Sequence, residues 1–144
     1  MNSTILRISS RYLVPILLVV SIVMLLRGHN APGGGFSGGL MAASAFALFT
    51  LAQGAAAARK LLRVDPRTLL AIGVLVAAAS GMPSLFAGEA YLASYWTFPA
   101  LPLIGEVPLG TPLLFDVGVF VAVIGFALTI MFVLYEYDED GEES

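Results

Sequence analysis

Charged residues are almost absent from a long part of this chain. Residues 68 to 135 include only three of the Asp, Glu, Lys or Arg types, namely Glu89, Glu106 and Asp116. A typical soluble domain carries about 25% charged residues, whereas they make up 12% of these 144 residues, and hydrophobic residues make up 58%. Because so few charges cannot cover a fold in water, the sequence predicts an integral membrane protein.

The apolar runs are long enough to cross a bilayer as helices. A spanning helix needs about 20 apolar residues at a rise of about 1.5 Å per residue. Four runs meet this length, the first by including a turn from residues 5–10: Arg11–Leu26, Phe36–Ala58, Arg67–Ala87 and Leu113–Tyr135. The predicted fold class is therefore an all-α integral membrane protein with four transmembrane helices, in which residues 1–137 form the membrane domain.

The basic residues indicate how these helices are oriented. If four helices alternate in direction, six of the seven Lys and Arg residues fall on one side and only Arg27 falls on the other. An excess of lysine and arginine marks the cytoplasmic side, so we expect both termini in the cytoplasm. Residues 138–144 are mostly acidic and cannot bury apolar surface, so they are predicted to form a disordered cytoplasmic tail.

The connection between the third and fourth helices is expected to lie at the outer membrane surface. Residues 88–112 contain tyrosine and tryptophan, which favour the membrane–water interface. They also contain four prolines, which break any long helix. We expect a short interfacial helix around residues 90–96, followed by an extended stretch.

A glycine-rich stretch joins the first two apolar runs. Residues 27–43 read RGHNAPGGGFSGGLMAA, and Gly33, Gly35 and Gly38 match the GxGxxG pattern of dinucleotide-binding loops. That pattern needs a preceding strand and an acidic residue about 20 positions further on. Here a predicted membrane helix precedes the glycines, and no Asp or Glu follows them at that distance, since the first acidic residue in the chain is Asp65. His29 has no second histidine, cysteine or nearby carboxylate in the sequence, so a metal site is not expected either.

Backbone geometry explains this stretch better than a ligand does. The glycines of GHNAPGGG permit positive φ and Pro32 sets the chain direction, so we expect a tight turn between helices one and two. Beyond the turn, small residues recur every four positions along one face of the second helix, which is typical of close helix packing. This predicted ridge consists of Gly35, Gly39, Ala43 and Ala47.

Asp116 is an acidic residue inside a predicted membrane helix. Charges within a membrane are costly and often mark ion or proton paths. With Thr111 as N-cap and Pro112 at the first helical position, Asp116 would lie only about one turn into the helix, where the helix dipole favours a carboxylate. Two interpretations remain open: a residue of the ion path, or a carboxylate that stabilises the helix start or an interface. A second stripe of small residues follows on the same helix: Gly118, Ala122 and Gly125.

Two stretches of the sequence resemble a known family. GHNAPGGGFSGGLMAASAFAL and TPLLFDVGVFVAVIGFALTI are similar to the signature stretches of the B subunit of Mrp-type (also called Mnh) cation/proton antiporters. The resemblance covers nearly the whole chain except the acidic tail. The residues that match the family's motifs are Gly28, His29, Asn30, Pro32, Gly33, Gly34, Gly35, Phe36, Gly38 and Gly39 in the first stretch, and Phe115, Asp116 and Gly118 in the second.

This resemblance implies an accessory subunit of a hetero-oligomeric complex in the bacterial cell (inner) membrane that exchanges sodium ions for protons. Its implied partners are the other membrane subunits and the lipid bilayer. In that family the proton-translocating work is assigned to larger subunits, so this chain is implied to act in assembly or in the ion path. No enzymatic activity, catalytic residue, cofactor, metal or nucleic acid is expected. Two alternatives remain: a stand-alone four-helix transporter acting as a homodimer, and a purely structural membrane scaffold.

Overall fold

The computed structural model describes residues 3–28, 33–94, 96–97, 100–102, 105–106 and 109–142. Four helical segments in these residues are long and apolar enough to cross a membrane: Thr4–Arg27, Gly35–Gln53, Pro66–Phe86 and Thr111–Asp138. The predicted all-α membrane fold with four transmembrane helices is thus confirmed, while the placement of both termini in the cytoplasm stays a prediction. In chain order the helices are α1 (Thr4–Arg27), α2 (Gly35–Gln53), α3 (Ala55–Leu62), α4 (Pro66–Ala79), α5 (Met82–Phe86) and α6 (Thr111–Glu142).

The long helices pack in an open row. α1 packs along α2, α2 along α6, and α6 along α4, with only a minor contact between α1 and α6. In the part of the chain that the structure describes, α1 and α4 are therefore the two ends of the row and do not close a four-helix bundle. A closed bundle surrounds its core on all sides, whereas this row leaves apolar side chains of its inner helices exposed, among them Phe36 and Leu40 of α2 and Phe126 and Ile130 of α6.

Local sequence explains where α1 and α4 begin. The side chain of Ser3 accepts a hydrogen bond from the Leu6 N–H at 3.3 Å and caps α1. Asp65 caps α4 by accepting from the Arg67 N–H at 2.8 Å. Pro66 stands in the first turn of α4, where a missing N–H removes no helical hydrogen bond.

The first predicted span is close to α1 and the next two are interrupted in the structure. α1 begins at Thr4, next to the turn at residues 5–10 that the prediction included, and Pro15 lies inside the helix, a position that membrane helices tolerate. The second predicted run is interrupted by Gly54, whose φ of 91° suits glycine and ends α2 before α3 starts. The third predicted run is divided into α4 and α5 by a turn at residues 80–81.

The loop before α6 forms two small antiparallel ladders instead of the expected interfacial helix. Strand β1 (Trp96–Thr97) pairs with β4 (Leu109–Gly110), and β2 (Ala100–Leu101) pairs with β3 (Gly105–Glu106). The prediction of a helix around residues 90–96 is therefore wrong. The Tyr91 hydroxyl donates to the Ala78 carbonyl oxygen at 2.7 Å, so the loop folds back onto the end of α4.

α6 is longer than its predicted span at both ends. It begins at Thr111 and runs to Glu142, so residues 138–142 are helical where the sequence predicts the start of a disordered tail. Extending an existing helix is far easier than nucleating one, which allows an exposed acidic segment to continue α6. The side chains of Asp138 and Asp140 are exposed there, and residues 143–144 lie outside the described ranges.

Candidate functional site

The ridge of small residues on α2 lies against α6. A Cβ atom built on Gly39 would lie 2.9 Å from the Cβ of Val123 and 3.0 Å from the carbonyl oxygen of Phe120. One built on Gly35 would lie 2.8 Å from the carbonyl carbon of Asp116. Because these approaches leave no room for a side chain, glycine is needed at both positions for α2 and α6 to pack this closely. The ridge continues through one buried and one half-buried residue, Ala43 and Ala47.

Gly38 serves a different helix contact from its neighbour Gly39. A Cβ built on Gly38 would lie 2.8 Å from the carbonyl oxygen of Ser21 and 3.2 Å from the backbone nitrogen of Leu25. Both of these residues are buried in α1. Adjacent glycines at the start of α2 therefore bring it close to α1 and to α6 at the same level.

Glycines also line the crossing of α4 and α6. A Cβ built on Gly118 would lie 2.8 Å from the carbonyl oxygen of Gly73, and one built on Gly73 would lie 2.7 Å from the carbonyl oxygen of Gly118. A Cβ on Gly125 would lie 2.6 Å from the carbonyl oxygen of Pro66. Gly118 and Gly125 belong to the stripe of small residues predicted from the sequence, whereas the contact at Gly73 was not predicted, because its only signal is a lone glycine in an apolar run.

Gly28 and Gly34, at the described ends of the connection between α1 and α2, approach the start of α6. The Gly34 N–H donates to the Met24 carbonyl oxygen at 2.9 Å, which ties the turn to the end of α1. Gly34 has a φ of 108°, which residues with a Cβ rarely adopt. A Cβ on Gly34 would lie 3.6 Å from Oδ2 of Asp116, and one on Gly28 would lie 3.3 Å from the same oxygen. The described ends of the turn thus flank the Asp116 carboxylate.

The other residues of the glycine-rich motif lie outside the close contact with Asp116 or outside the residues that the structure describes. His29, Asn30 and Pro32 lie outside the described residues. Gly33 is exposed, and the Phe36 side chain is 62% exposed on the surface of α2. The structure therefore brings Gly28, Gly34, Gly35 and Asp116 together, and it leaves Phe36 outside the buried contact.

Asp116 stands beside a cavity near the start of α6. It is half-buried and lies five residues after Thr111, about 7.5 Å along the helix axis. The shallow position predicted from the sequence is close to this depth. A cavity of about 340 Å³ opens beside the carboxylate. Its lining includes Gly28, Ser94, Thr111, Phe115 and Asp116.

The described residues that line this cavity offer one carboxylate and two hydroxyl groups, those of Asp116, Ser94 and Thr111. A carboxylate can attract a monovalent cation, or it can accept hydrogen bonds from backbone N–H groups of a turn. The Thr111 hydroxyl donates to the carbonyl oxygen of Ala93 at 3.5 Å, which connects the outer loop to α6. Within the described ranges, no three His, Cys, Asp or Glu side chains form a group that could hold a metal ion.

An ion pair near the other end of α6 was not predicted from the sequence. Arg59 of α3 donates from Nε at 2.9 Å and from Nη2 at 2.6 Å to Oε1 of Glu136. The Arg59 Cζ also lies 4.7 Å from the centroid of the Phe132 ring. Because the paired residues are 77 positions apart, no local pattern could associate them. The pair holds α3 against the end of α6.

Comparison with known proteins identifies relatives of this chain. A family model described as "Domain related to MnhB subunit of Na+/H+ antiporter" matches residues 5–129. The B subunit of the Na(+)/H(+) antiporter of Alkalihalophilus pseudofirmus (strain ATCC BAA-2126 / JCM 17055 / OF4) is 39% identical over 137 residues. The aligned region covers 95% of each of the two chains.

Two other relatives contain a similar region within a much longer chain. The A/B subunit of a probable K(+)/H(+) antiporter of Rhizobium meliloti (strain 1021) is 36% identical over 86% of this chain and 12% of its own length. A chain of the solved "Structure of Mrp complex from Dietzia sp. DQ12-45-1b" matches with a TM-score of 0.78 and 34% identity, over 91% of this chain and 14% of the other. Since the family match covers residues 5–129, this chain belongs to the MnhB family, the B subunits of multisubunit Na⁺/H⁺ antiporters.

Proposed function

We propose that this chain is an accessory transmembrane subunit of a multisubunit sodium/proton antiporter in the bacterial cell (inner) membrane. It acts in assembly and at the mouth of the ion path, and it has no enzymatic role. The observation that carries this proposal is the open row of helices. Each of its two inner helices keeps an exposed apolar face, with Phe36 and Leu40 on α2 and Phe126 and Ile130 on α6. Membrane helices associate through close packing of small residues, so such a row is suited to being completed by neighbouring subunits.

A stand-alone homodimeric transporter is less compatible with the same geometry. That class needs a carboxylate deep in the membrane and a path surrounded by its own helices. α2 contains no acidic or basic residue, and α1 contains none between Arg11 and Arg27. Asp116 lies near the start of α6, and the open row surrounds no path. A subunit of a larger complex accounts for the shallow carboxylate and the open row better than a homodimeric transporter does.

Purification of the tagged full chain from native membranes in mild detergent tests this function. We expect unlike membrane subunits to be recovered with the chain. After reconstitution, sodium/proton exchange should require those subunits. Recovery of a homodimer that exchanges sodium for protons by itself would contradict the proposal.

The orientation of the chain is a further part of the proposal. The chain contains no cysteine, so single substitutions give one reactive thiol each. Ser94 and Asp138 are both exposed; Ser94 lies by the start of α6 and Asp138 lies near its end. We expect Ser94→Cys to react with a membrane-impermeant maleimide in intact cells, and Asp138→Cys to react only after permeabilisation. The reverse labelling pattern would show that the termini lie outside.

The acidic segment after residue 137 is assigned a solvating role. Asp138 and Asp140 are exposed on the end of α6, where charged side chains keep this end of the chain in water. We infer that the segment is not part of the ion path, because it lies at the far end of α6 from Asp116.

A further inference from the structure

The connection between α2 and α4 presents a mixed basic and apolar surface. Three cationic side chains are exposed within eight positions: Lys60, Arg63 and Arg67. Between them, the side chains of Leu61 and Val64 are 48% and 43% exposed. Basic residues interleaved with apolar ones are typical of segments that lie at the boundary between lipid headgroups and acyl chains.

This surface is carried on a fixed scaffold. Ala58 of α3 is fully buried against Leu128 and Phe132 of α6, which are 0% and 1% exposed. The Arg59–Glu136 ion pair adds a second attachment of α3 to α6. The inner side of α3 is therefore committed to packing within the chain, while its basic side is turned to the surroundings.

Within residues 60–67, three basic side chains stand against one acidic side chain, that of Asp65. Arg59 and Glu136 neutralise each other. Asp65 offsets one of the three exposed cations, and its side chain caps α4 by accepting from the Arg67 N–H. Further acidic residues follow Glu136 at the end of α6: Asp138, Glu139, Asp140 and Glu142. Residues 60–67 themselves keep a positive net charge, and this charge complements an anionic group at the membrane surface.

We propose that residues 60–67 form a docking surface for anionic phospholipid headgroups. Lys60, Arg63 and Arg67 bind the phosphate groups, and Leu61 and Val64 enter the upper part of the acyl region. Each Lys or Arg near an anionic membrane surface strengthens the attraction by about fivefold. The bound lipids anchor α3 and the start of α4 at the membrane surface, whichever ion the complex transports.

Measurement of retained lipid tests this proposal. The full chain with its native partners is purified from membranes that contain phosphatidylglycerol and phosphatidylethanolamine, and the lipid remaining after stepwise detergent washing is quantified by mass spectrometry. The variant Lys60→Gln/Arg63→Gln/Arg67→Gln should lose phosphatidylglycerol by at least about fivefold per chain. The matched control is a single change on the other side of the membrane in the predicted orientation, Arg27→Gln, which is compared with Lys60→Gln; both side chains are exposed.

The conservative double variant Arg63→Lys/Arg67→Lys should retain the lipid, because it keeps both charges. If the triple variant is not recovered, the single change Lys60→Gln supplies a graded loss at an exposed position of α3. Equal loss of phosphatidylglycerol in Lys60→Gln and Arg27→Gln would overturn the proposal, since it would reflect net charge alone. Unchanged phosphatidylglycerol together with loss of a neighbouring protein chain would also overturn it, by assigning the surface to a protein contact.

Discussion

Replacing Gly39 by leucine is expected to abolish assembly of the antiporter complex. Even a Cβ at this position would lie 2.9 Å from the Cβ of Val123 and 3.0 Å from the backbone oxygen of Phe120. Overpacking of a close contact costs about 1–3 kcal/mol and sometimes more, and a backbone atom cannot move aside as a flexible side chain can. α2 and α6 would be pushed apart, and the turn would no longer meet Asp116. Membranes that contain Gly39→Leu should lack the assembled complex on a native gel and should show no antiport.

Gly141→Leu is the matched control for this substitution. Gly141 is an exposed residue near the end of α6, and a Cβ built on it would meet no described atom within 4 Å, so leucine there adds the same bulk outside the contact between α2 and α6. We expect Gly141→Leu to assemble, and Gly39→Ala to give an intermediate amount of complex because it adds a single carbon atom. His29→Ala, at the turn position predicted from the sequence, should assemble and retain antiport. Normal assembly of Gly39→Leu would show that the close contact is not required.

Replacing Asp116 by leucine is expected to reduce antiport by about tenfold or more, with partial loss of the complex. The carboxylate lies between the two described ends of the turn, where Cβ atoms on Gly28 and Gly34 would be 3.3 Å and 3.6 Å from Oδ2. Removing hydrogen bonds made by a charged group costs about 1.5–3 kcal/mol, which corresponds to this loss. Exchange should be measured in everted membrane vesicles over a range of pH and sodium concentration, with the amount of complex determined in parallel.

Asp116→Asn separates a structural anchor from a group that carries the ion. The asparagine side chain keeps one oxygen that can accept hydrogen bonds from the turn, so an anchor should retain most of its assembly and most of its antiport. If Asp116 exchanges a proton or binds the cation, Asp116→Asn should assemble normally and yet be inactive. An unchanged pH profile and sodium dependence in an active Asp116→Asn variant would exclude Asp116 from the ion path.

Much of the fold could be predicted because a bilayer imposes strict requirements on a sequence. Backbone hydrogen bonds must be satisfied within each spanning segment, so an apolar run of sufficient length forms a helix. The four spans follow from this rule alone. The contact surface at Gly35 and Gly39 could also be predicted, because a spacing of four residues places small side chains on one face whatever the partner is.

The ends and interruptions of the helices were harder to predict because local hydrophobicity does not change there. The break at Gly54 depends on a φ of 91°, whereas glycines such as Gly73 continue a helix within an equally apolar run. The two ladders in the outer loop likewise depend on pairing between segments as far apart as Trp96 and Gly110. Sequence composition marks that loop as irregular but does not specify its pairing.

Only the tertiary structure determines which helix packs against each face of α2. Gly38 approaches α1 while Gly39 approaches α6, although both belong to the same glycine pattern. The Arg59–Glu136 pair joins residues 77 positions apart, and the open row depends on which pairs of helices fit closely. Hydrophobicity and backbone hydrogen bonding act within each segment and can be read locally, whereas helix pairing depends on the match of shape and charge between distant residues.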